Sequence, residues 1–323
     1  MTTALGATAV FKLLIRRVAL AVALVIAASA LSYALVAAAP GNVAAMMAER
    51  MAGAKATREL IDSIAARLGL NDPLYLRYGR WVSQAVQGHW GDSLRTGHPI
   101  SEEFAERAPI TARLLAGGGV LVFVVPLALG VLGAMSNGGP VDQALRGLAL
   151  LGASTPNFFL AALLVLLFSV QLHWLPSVGM GGVSSWVLPW ITIAVFPACV
   201  LSRVVRVGLQ EMMARPFATT GFAKGQSRAG VLIKEALPNL AVPFITTFAA
   251  QFALMIIGAI VVETVFAWQG LGALFLEAIR FRDLPVMQAV LMSFILFFVV
   301  LNLLADTACL LLDPRLRKSA LAD

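Results

Sequence analysis

Long apolar stretches separated by short polar ones dominate the pattern of this chain. They run from Val18 to Ala39 and at about 110–135, 148–172, 187–209, 241–265 and 286–312. Each is near the roughly 20 residues that carry an α-helix through a hydrocarbon core of about 30 Å. The pattern predicts an all-α, polytopic membrane protein with six transmembrane helices. Pro126, Pro189 and Pro197 fall inside these runs, where neighbouring helices can satisfy the carbonyls that a proline frees. Lys12, Arg16 and Arg17 precede the first run, and Ala37-Ala38-Ala39 at its end resembles a signal-peptidase site. The run exceeds the roughly 7–15 apolar residues of a signal peptide, which favours an uncleaved first transmembrane helix.

The sizeable polar segment lies between the first and second runs, from residue 41 to about 108. Leu60, Ile61, Ile64, Ala65 and Leu68 have helical spacing, which predicts a helix over Arg58–Leu70 ended by Gly69 and Asn71-Asp72-Pro73. A second helix is predicted over Leu74–Val86, and His89 to Ser93 reads as a turn. Glu102, Glu103, Glu106 and Arg107 mark a short amphipathic helix leading into the membrane. A small helical cap outside the membrane accounts for this segment without any catalytic role.

Composition agrees with the pattern: 59% of the 323 residues are hydrophobic and 13% are charged, against about a quarter charged in soluble domains. The net charge of +7 comes without the basic runs or aromatic-basic alternation of a nucleic-acid binder, so no nucleic acid is expected as a partner. Excess Lys and Arg in a membrane protein record topology. With the N-terminus inside, and the long segment ending near Arg113 set aside, basic residues divide 13 inside to 2 outside (Arg280 and Arg282). Long loops weigh little in orientation, so both termini are expected in the cytoplasm, including Lys318, with Lys55 outside. Cys199 and Cys309 lie far apart in apolar stretches and suggest free thiols.

One polar interruption then stands out. Ala218–Pro243 (ATTGFAKGQSRAGVLIKEALPNLAVP) carries Lys224, Arg228, Lys234 and Glu235, with glycines at 221, 225 and 230. The charge division places it in the cytoplasm. Gly225, nine further residues, then Glu235-Ala236-Leu237-Pro238 resembles the EAA loop of bacterial ABC importer permeases. Ala223-Lys224-Gly225, Val231-Leu232, Asn239 and Pro243 more closely resemble the dipeptide/oligopeptide/nickel permease class. The segment Glu263-Thr264-Val265-Phe266-Ala267-Trp268-Gln269-Gly270-Leu271-Gly272 looks like that class's ETVF-W-GLG stretch. Arg282-Asp283, Pro285-Val286, Gln288 and Leu312-Asp313-Pro314-Arg315 follow in order. Arg16-Arg17, Pro40-Gly41, Leu68-Gly69-Leu70, Pro73, Gly88, Gly91, Ser93 and Leu94 extend the likeness over nearly the whole chain. The sequence departs from the pattern at Thr219-Thr220-Gly221, where the EAA triplet would stand, and at Glu235, where an apolar residue would.

The resemblance implies a type I ABC importer permease fold in a bacterial inner membrane. It divides the chain into a cytoplasmic N-terminus with the first helix (1–40), an extracytoplasmic helical segment (41–108) and a permease core (109–323) with its coupling loop at 210–240. It further implies a heterodimer with a second, related permease, two cytoplasmic ATPases docked on the coupling loops and an extracytoplasmic solute-binding protein. Peptides are the leading cargo, with nickel, a metal chelate or glutathione as alternatives. The residues assigned to the ATPase contact are Thr219, Thr220, Gly221, Ala223, Lys224, Gly225, Arg228, Leu237 and Pro238. Gly225 is expected to make a close-approach turn, and Pro238 to end one helix or start the next. Lys224, Arg228 and Lys234 suit an acidic rim on a partner or the positive-inside bias equally well.

Chemistry of its own is not expected of the chain. Ala223-Lys224-Gly225-Gln226-Ser227 has the wrong order for a phosphate cradle, so the permease is expected to hold no cofactor, with ATP and Mg used by the partner ATPases. His89, His98 and His173 sit in separate outer loops and suggest no metal site, and no nucleophile–base–acid set is visible. Intramembrane polar groups are the candidates for a path or gate: Ser154, Thr155 and Asn157 around Pro156, Glu263, Asn302 and Asp306. The first three suit a passage lining or helix packing, and both readings stay open. Glu263 is expected to pair with Arg280 or Arg282 before it would touch solute, while Asn302 and Asp306 can bond between helices. A secondary transporter, the rival of a different class, would need ionisable groups deep in the membrane, whereas the acidic residues here lie mostly near helix ends or in loops. A membrane enzyme would need a reactive cluster.

Overall fold

The structure is a computed structural model that describes residues 2–38, 43–53, 56–136 and 138–312, with backbone alone for 2–14. The expected positions Lys55, Pro40-Gly41, Asp313-Pro314-Arg315 and Lys318 lie outside the described residues, as does the side chain of Lys12.

Among the described residues the regular elements are all helices, beside an isolated bridge between Asp92 and Pro99. Helix α1 spans Thr2–Ala38, and α2 (Val43–Ala52), α3 (Arg58–Arg67) and α4 (Leu74–Val86) follow it. Thr57 caps α3 by accepting the Leu60 N–H, which satisfies one of the orphan donors of the first turn. Helix α5 runs unbroken over Ile100–Ser136. The amphipathic turn at Glu102–Arg107 is thus the first part of a long membrane helix, which runs on through Pro109 although that residue has no N–H to donate. Pro126 is absorbed, as are Pro189 and Pro197 within α8 (Val183–Met213).

The third apolar run behaves differently. It forms α6 (Pro140–Ser154) and α7 (Asn157–Leu164), the latter continuing as a π-helical turn over Val165–Gln171, with a bend of 108° between the two halves. Pro156 explains the break, since a proline disfavours helical backbone in the residue before it. Thr155 is accordingly extended (φ −90°, ψ 121°), and Pro156 follows with ψ 141°. A single helix over 148–172 is therefore corrected to a bent pair that starts earlier. Five straight helices are long and apolar enough to cross a membrane, and the pair makes six if it counts as one span.

Past α8 come α9 (Pro216–Ala223), α10 (Arg228–Val231), a π-helical turn at Leu232–Ala236, and α11 (Leu237–Asn239). Helix α12 (Ala241–Val265), α13 (Leu271–Phe281) and α14 (Leu284–Leu312) complete the chain. Helices α2 and α13 were not expected. Both are short, at ten and eleven residues.

The chain forms two compact units. The first comprises Met1–Leu20, Ala112–Trp268 and Val300–Asp323. Its centre is α8, which packs on α6, α7 and α12 and buries Leu188, Ile193, Leu201, Val205 and Leu209 along one stripe. Phe123 meets Phe244 and Phe248 edge-on at 5.3 and 5.6 Å between centroids. Trp186 lies against Trp268, whose indole N–H donates to Gly179 O at 3.1 Å. The second unit comprises Ala21–Thr111 and Gln269–Val299. There Ile100, Leu271, Leu274 and Val286 form one core with Trp90 and Phe104 around it. Ala44, Ala48 and Ile64 form another between α2 and α3. Exposed Leu20, Leu24, Ile26, Leu31 and Leu35 of α1 are the apolar surface that lipid covers in a membrane protein.

Candidate functional site

The polar interruption is built as a helical hairpin. Pro216 opens α9, a position where its missing N–H is no loss. The helix closes in a double-bonded turn: Gly225 N donates to Phe222 O at 2.9 Å and Gln226 N to Gly221 O at 3.1 Å. Such a turn needs one residue in the left-handed region, and Gly225 has φ +77°. A Cβ there would meet open space. The close-approach expectation for Gly225 is therefore corrected, because backbone conformation is what demands glycine at this position. The close approach occurs four residues earlier. A Cβ on buried Gly221 would stand 2.9 Å from Val231 Cγ2, so Gly221 lets α9 lie against α10. The departure from the EAA pattern at this residue thus has a packing reason.

Ser227 begins the second arm and accepts the Gly230 N–H at 3.2 Å. Arg228 reaches back to donate to Ala134 O at 3.4 Å, in the last turn of α5, where orphan carbonyls favour a cation. Pro238 sits in the first turn of α11. It has no N–H to continue the α pattern, and the preceding π-helical turn passes over the gap, with Leu237 N bonding Leu232 O. Asn239 Nδ2 donates to Glu235 O at 2.7 Å. Pro238 therefore ends no helix and stands at the start of the next, the second of the two expected roles.

This arrangement turns one face of the hairpin outward. Thr219, Thr220, Ala223, Lys224 and Gly225 are exposed, Leu237 is half-buried and Pro238 exposed. Two apolar side chains that the sequence reading passed over join them: Phe222 is 44% and Ile233 51% exposed. A large apolar group inside a polar stretch is the signal that could have found them.

The path candidates fall on several elements of the first unit. Ser154 is exposed at the end of α6, and Thr155 Oγ1 donates to Leu151 O at 2.7 Å. Asn157 lies against Gly258 of α12. Glu263 is completely buried near the end of α12, while Arg280 and Arg282 are exposed and belong to the second unit. Asn302 and Asp306 lie one turn apart on α14, and Asp306 forms an ion pair with Arg17.

Two buried carboxylates were not singled out from sequence as sites. Asp142, in the first turn of α6 and 1% exposed, accepts from Arg206 Nη1 at 3.2 Å through both oxygens and from Gly138 N at 3.2 Å. Arg206 also donates to Gln210 Oε1 at 3.2 Å. In the second unit Asp283 accepts from Ser93 Oγ at 2.5 Å, Leu94 N at 3.1 Å and Arg95 N at 3.1 Å, holding the 89–95 turn against the start of α14.

Comparison with known proteins accounts for this architecture. Residues 127–318 match the family described as binding-protein-dependent transport system inner membrane component, and residues 10–115 match its N-terminal segment. The chain belongs to that permease family. A probable peptide ABC transporter permease of Sinorhizobium fredii is 36% identical over 287 residues, covering 86% of this chain and 90% of that one. The glutathione transport system permease GsiC of Escherichia coli (strain K12) is 34% identical over 278 residues with the same coverage. A chain of the MetNI methionine ABC transporter superposes with a TM-score of 0.56 at 17% identity, covering 65% of this chain and 96% of that one, a likeness of fold alone. The permease therefore has the type I ABC importer fold. It is the permease subunit of an ABC importer, a multi-pass inner-membrane protein that works in a complex with other subunits.

Proposed function

We propose that this permease forms half of a translocation path for peptides or similar small solutes, and that the 216–239 hairpin is where a cytoplasmic ATPase docks. The observation that carries the reading is the hairpin itself. Its closing turn, its two packed arms and its exposed Phe222, Lys224 and Ile233 make a firm knob with an apolar and basic tip, suited to a groove on a soluble partner. A second, related permease completes the path, a solute-binding protein delivers the cargo outside, and ATP with Mg is consumed in the ATPases. Peptide is favoured by the Sinorhizobium relative and glutathione, itself a small peptide, by the Escherichia coli one.

Connectivity supports the topology. In the second unit Ser32 bonds Gln288, Ile100 packs with Leu271 and Val286, and Leu271 N donates to Thr111 Oγ1. The end of α1 and the starts of α5 and α14 thus share one side of the bilayer. Between the start of α5 and α13 the chain must then cross an even number of times. Helices α5, α8 and α12 are three candidate crossings, and on this reading the bent pair α6–α7 supplies the fourth. Six crossings with both termini inside agree with the positive-inside division and support the reading of the hairpin as cytoplasmic.

Gly225→Trp tests the docking role. The new side chain enters open space and costs only about 1–2 kcal/mol of left-handed strain, so the chain should still reach the membrane. Association with the ATPase, or coupled transport by the reconstituted complex, should be lost. Unchanged transport would remove the hairpin from its assigned role.

A further inference from the structure

The second unit contains a cavity of about 670 Å3, inside the range of about 300–1,000 Å3 typical of small-molecule sites. Its floor and walls come from the end of α1 (Tyr33), from α2 (Met47), from α4 (Trp81), from the turn carrying Trp90 and from the start of α14 (Pro285). These aromatics are held in place by their neighbours. Tyr33 and Trp81 lie 5.7 Å apart between ring centroids, and Trp90 stacks on Phe104 at 5.8 Å. The cavity therefore offers preset faces for an apolar body.

Its charge is one-sided. Arg50, Arg67, Arg77 and Arg80 line it against a single carboxylate, Asp92. Two of these arginines have structural duties. Arg50 Nη1 donates to Ser93 O at 2.9 Å, and Arg80 pairs with Asp72 outside the lining. The side chains of Arg67 and Arg77 make no hydrogen bond or ion pair among the described residues. Two uncommitted guanidinium groups thus line the same cavity as the rigid aromatics, and a guanidinium matches carboxylate geometry with paired N–H bonds.

We infer that this cavity is a receiving site for a small amphipathic solute bearing a carboxylate. Arg67 and Arg77 take the charge, and Tyr33, Trp81 and Trp90 take the apolar body. The inference rests on the permease reading above and on its orientation, which places the cavity at the outer face. There the site would hold solute released by a binding protein before it enters the membrane path.

The probe is a fluorescent tripeptide, Ala-Phe-Ala labelled at its amino end, compared with its carboxamide on the full chain in phosphatidylcholine nanodiscs. The free acid should bind at least about tenfold more tightly than the amide, the factor carried by ~1.4 kcal/mol, and high salt should weaken it. Arg67→Ala/Arg77→Ala should remove that preference without lowering the melting temperature, because neither side chain is bonded in the fold. Trp81→Leu should weaken acid and amide alike. Equal binding of acid and amide, or an unaffected double variant, would overturn the inference. Loss of probe binding when phosphatidylglycerol is added would overturn it in favour of a lipid-headgroup site. Import by the reconstituted complex that survives without direct binding would remove the cavity's role and leave the permease reading standing.

Discussion

Asp142→Ala should be among the most damaging single substitutions in the first unit. The carboxylate is 1% exposed and the Arg206 side chain 15% exposed, so neither charge is well solvated without the other. Truncation strips the guanidinium of two acceptor oxygens and leaves Gln210 Oε1 at 3.2 Å as its remaining partner. Removing one member of a buried pair costs about 3–5 kcal/mol, and the residual exposure of Arg206 places this case near the lower end. The Gly138 N–H also loses its acceptor, adding about 1 kcal/mol. The expected loss is about 3–4 kcal/mol, with Asp142→Asn costing less because it still accepts from Gly138. The assay is denaturant unfolding of the purified chain in mixed micelles, run as a double-mutant cycle with Arg206→Leu. The double variant should cost well below the sum of the singles, with a coupling of about 2 kcal/mol or more. A loss under about 1 kcal/mol for Asp142→Ala, or simple additivity in the cycle, would refute the pair as the clamp between α6 and α8.

Two further outcomes follow from specific contacts. Gly221→Ala forces a Cβ to 2.9 Å from Val231 Cγ2 and should lower stability by about 1–3 kcal/mol. Val231→Ala should relieve part of that loss in a thermal melt, and additive losses would contradict the packing of α9 on α10. Asp283→Asn weakens the hold on Ser93, Leu94 and Arg95. Trypsin should then cut after exposed Arg95 at least about tenfold faster, the factor carried by ~1.4 kcal/mol, and an unchanged rate would contradict that anchor.

The apolar runs made the spanning helices legible because about 20 residues of hydrocarbon contact leave a long, continuous signal. Leu74–Val86 was readable to the residue, since Pro73 and Gly88 punctuate both ends. The bend at Thr155 was half-legible: Pro156 announced a disturbance, but the same residue type is absorbed at Pro126, Pro189 and Pro197. No local rule separates a 108° break from an unbroken helix, because neighbouring packing decides which occurs. The 216–239 hairpin could be located from Gly225 and its distance to Leu237-Pro238. The reasons for its glycines could not, since a left-handed turn and a 2.9 Å approach look alike in one-letter code. Asp142 and Arg206 lie 64 positions apart, and in sequence each looked like an ordinary loop or helix-end charge. Asp283 stood inside a family motif, while its partners Ser93, Leu94 and Arg95 lie nearly 190 residues away. Long-range polar contacts leave no period to read.

The central claim, that the 216–239 hairpin receives the ATPase in the cytoplasm, is tested most directly at Lys224, which is exposed beside the closing turn. Lys224→Cys in native membranes, treated with a short bifunctional thiol crosslinker, should join the permease to a co-expressed ATPase carrying an engineered cysteine in its docking groove. The yield should change when ATP is added, as expected of a contact that moves with the engine. Absence of the crosslinked product while an impermeant maleimide labels Lys224→Cys from outside intact cells would place the hairpin on the wrong side and contradict the account.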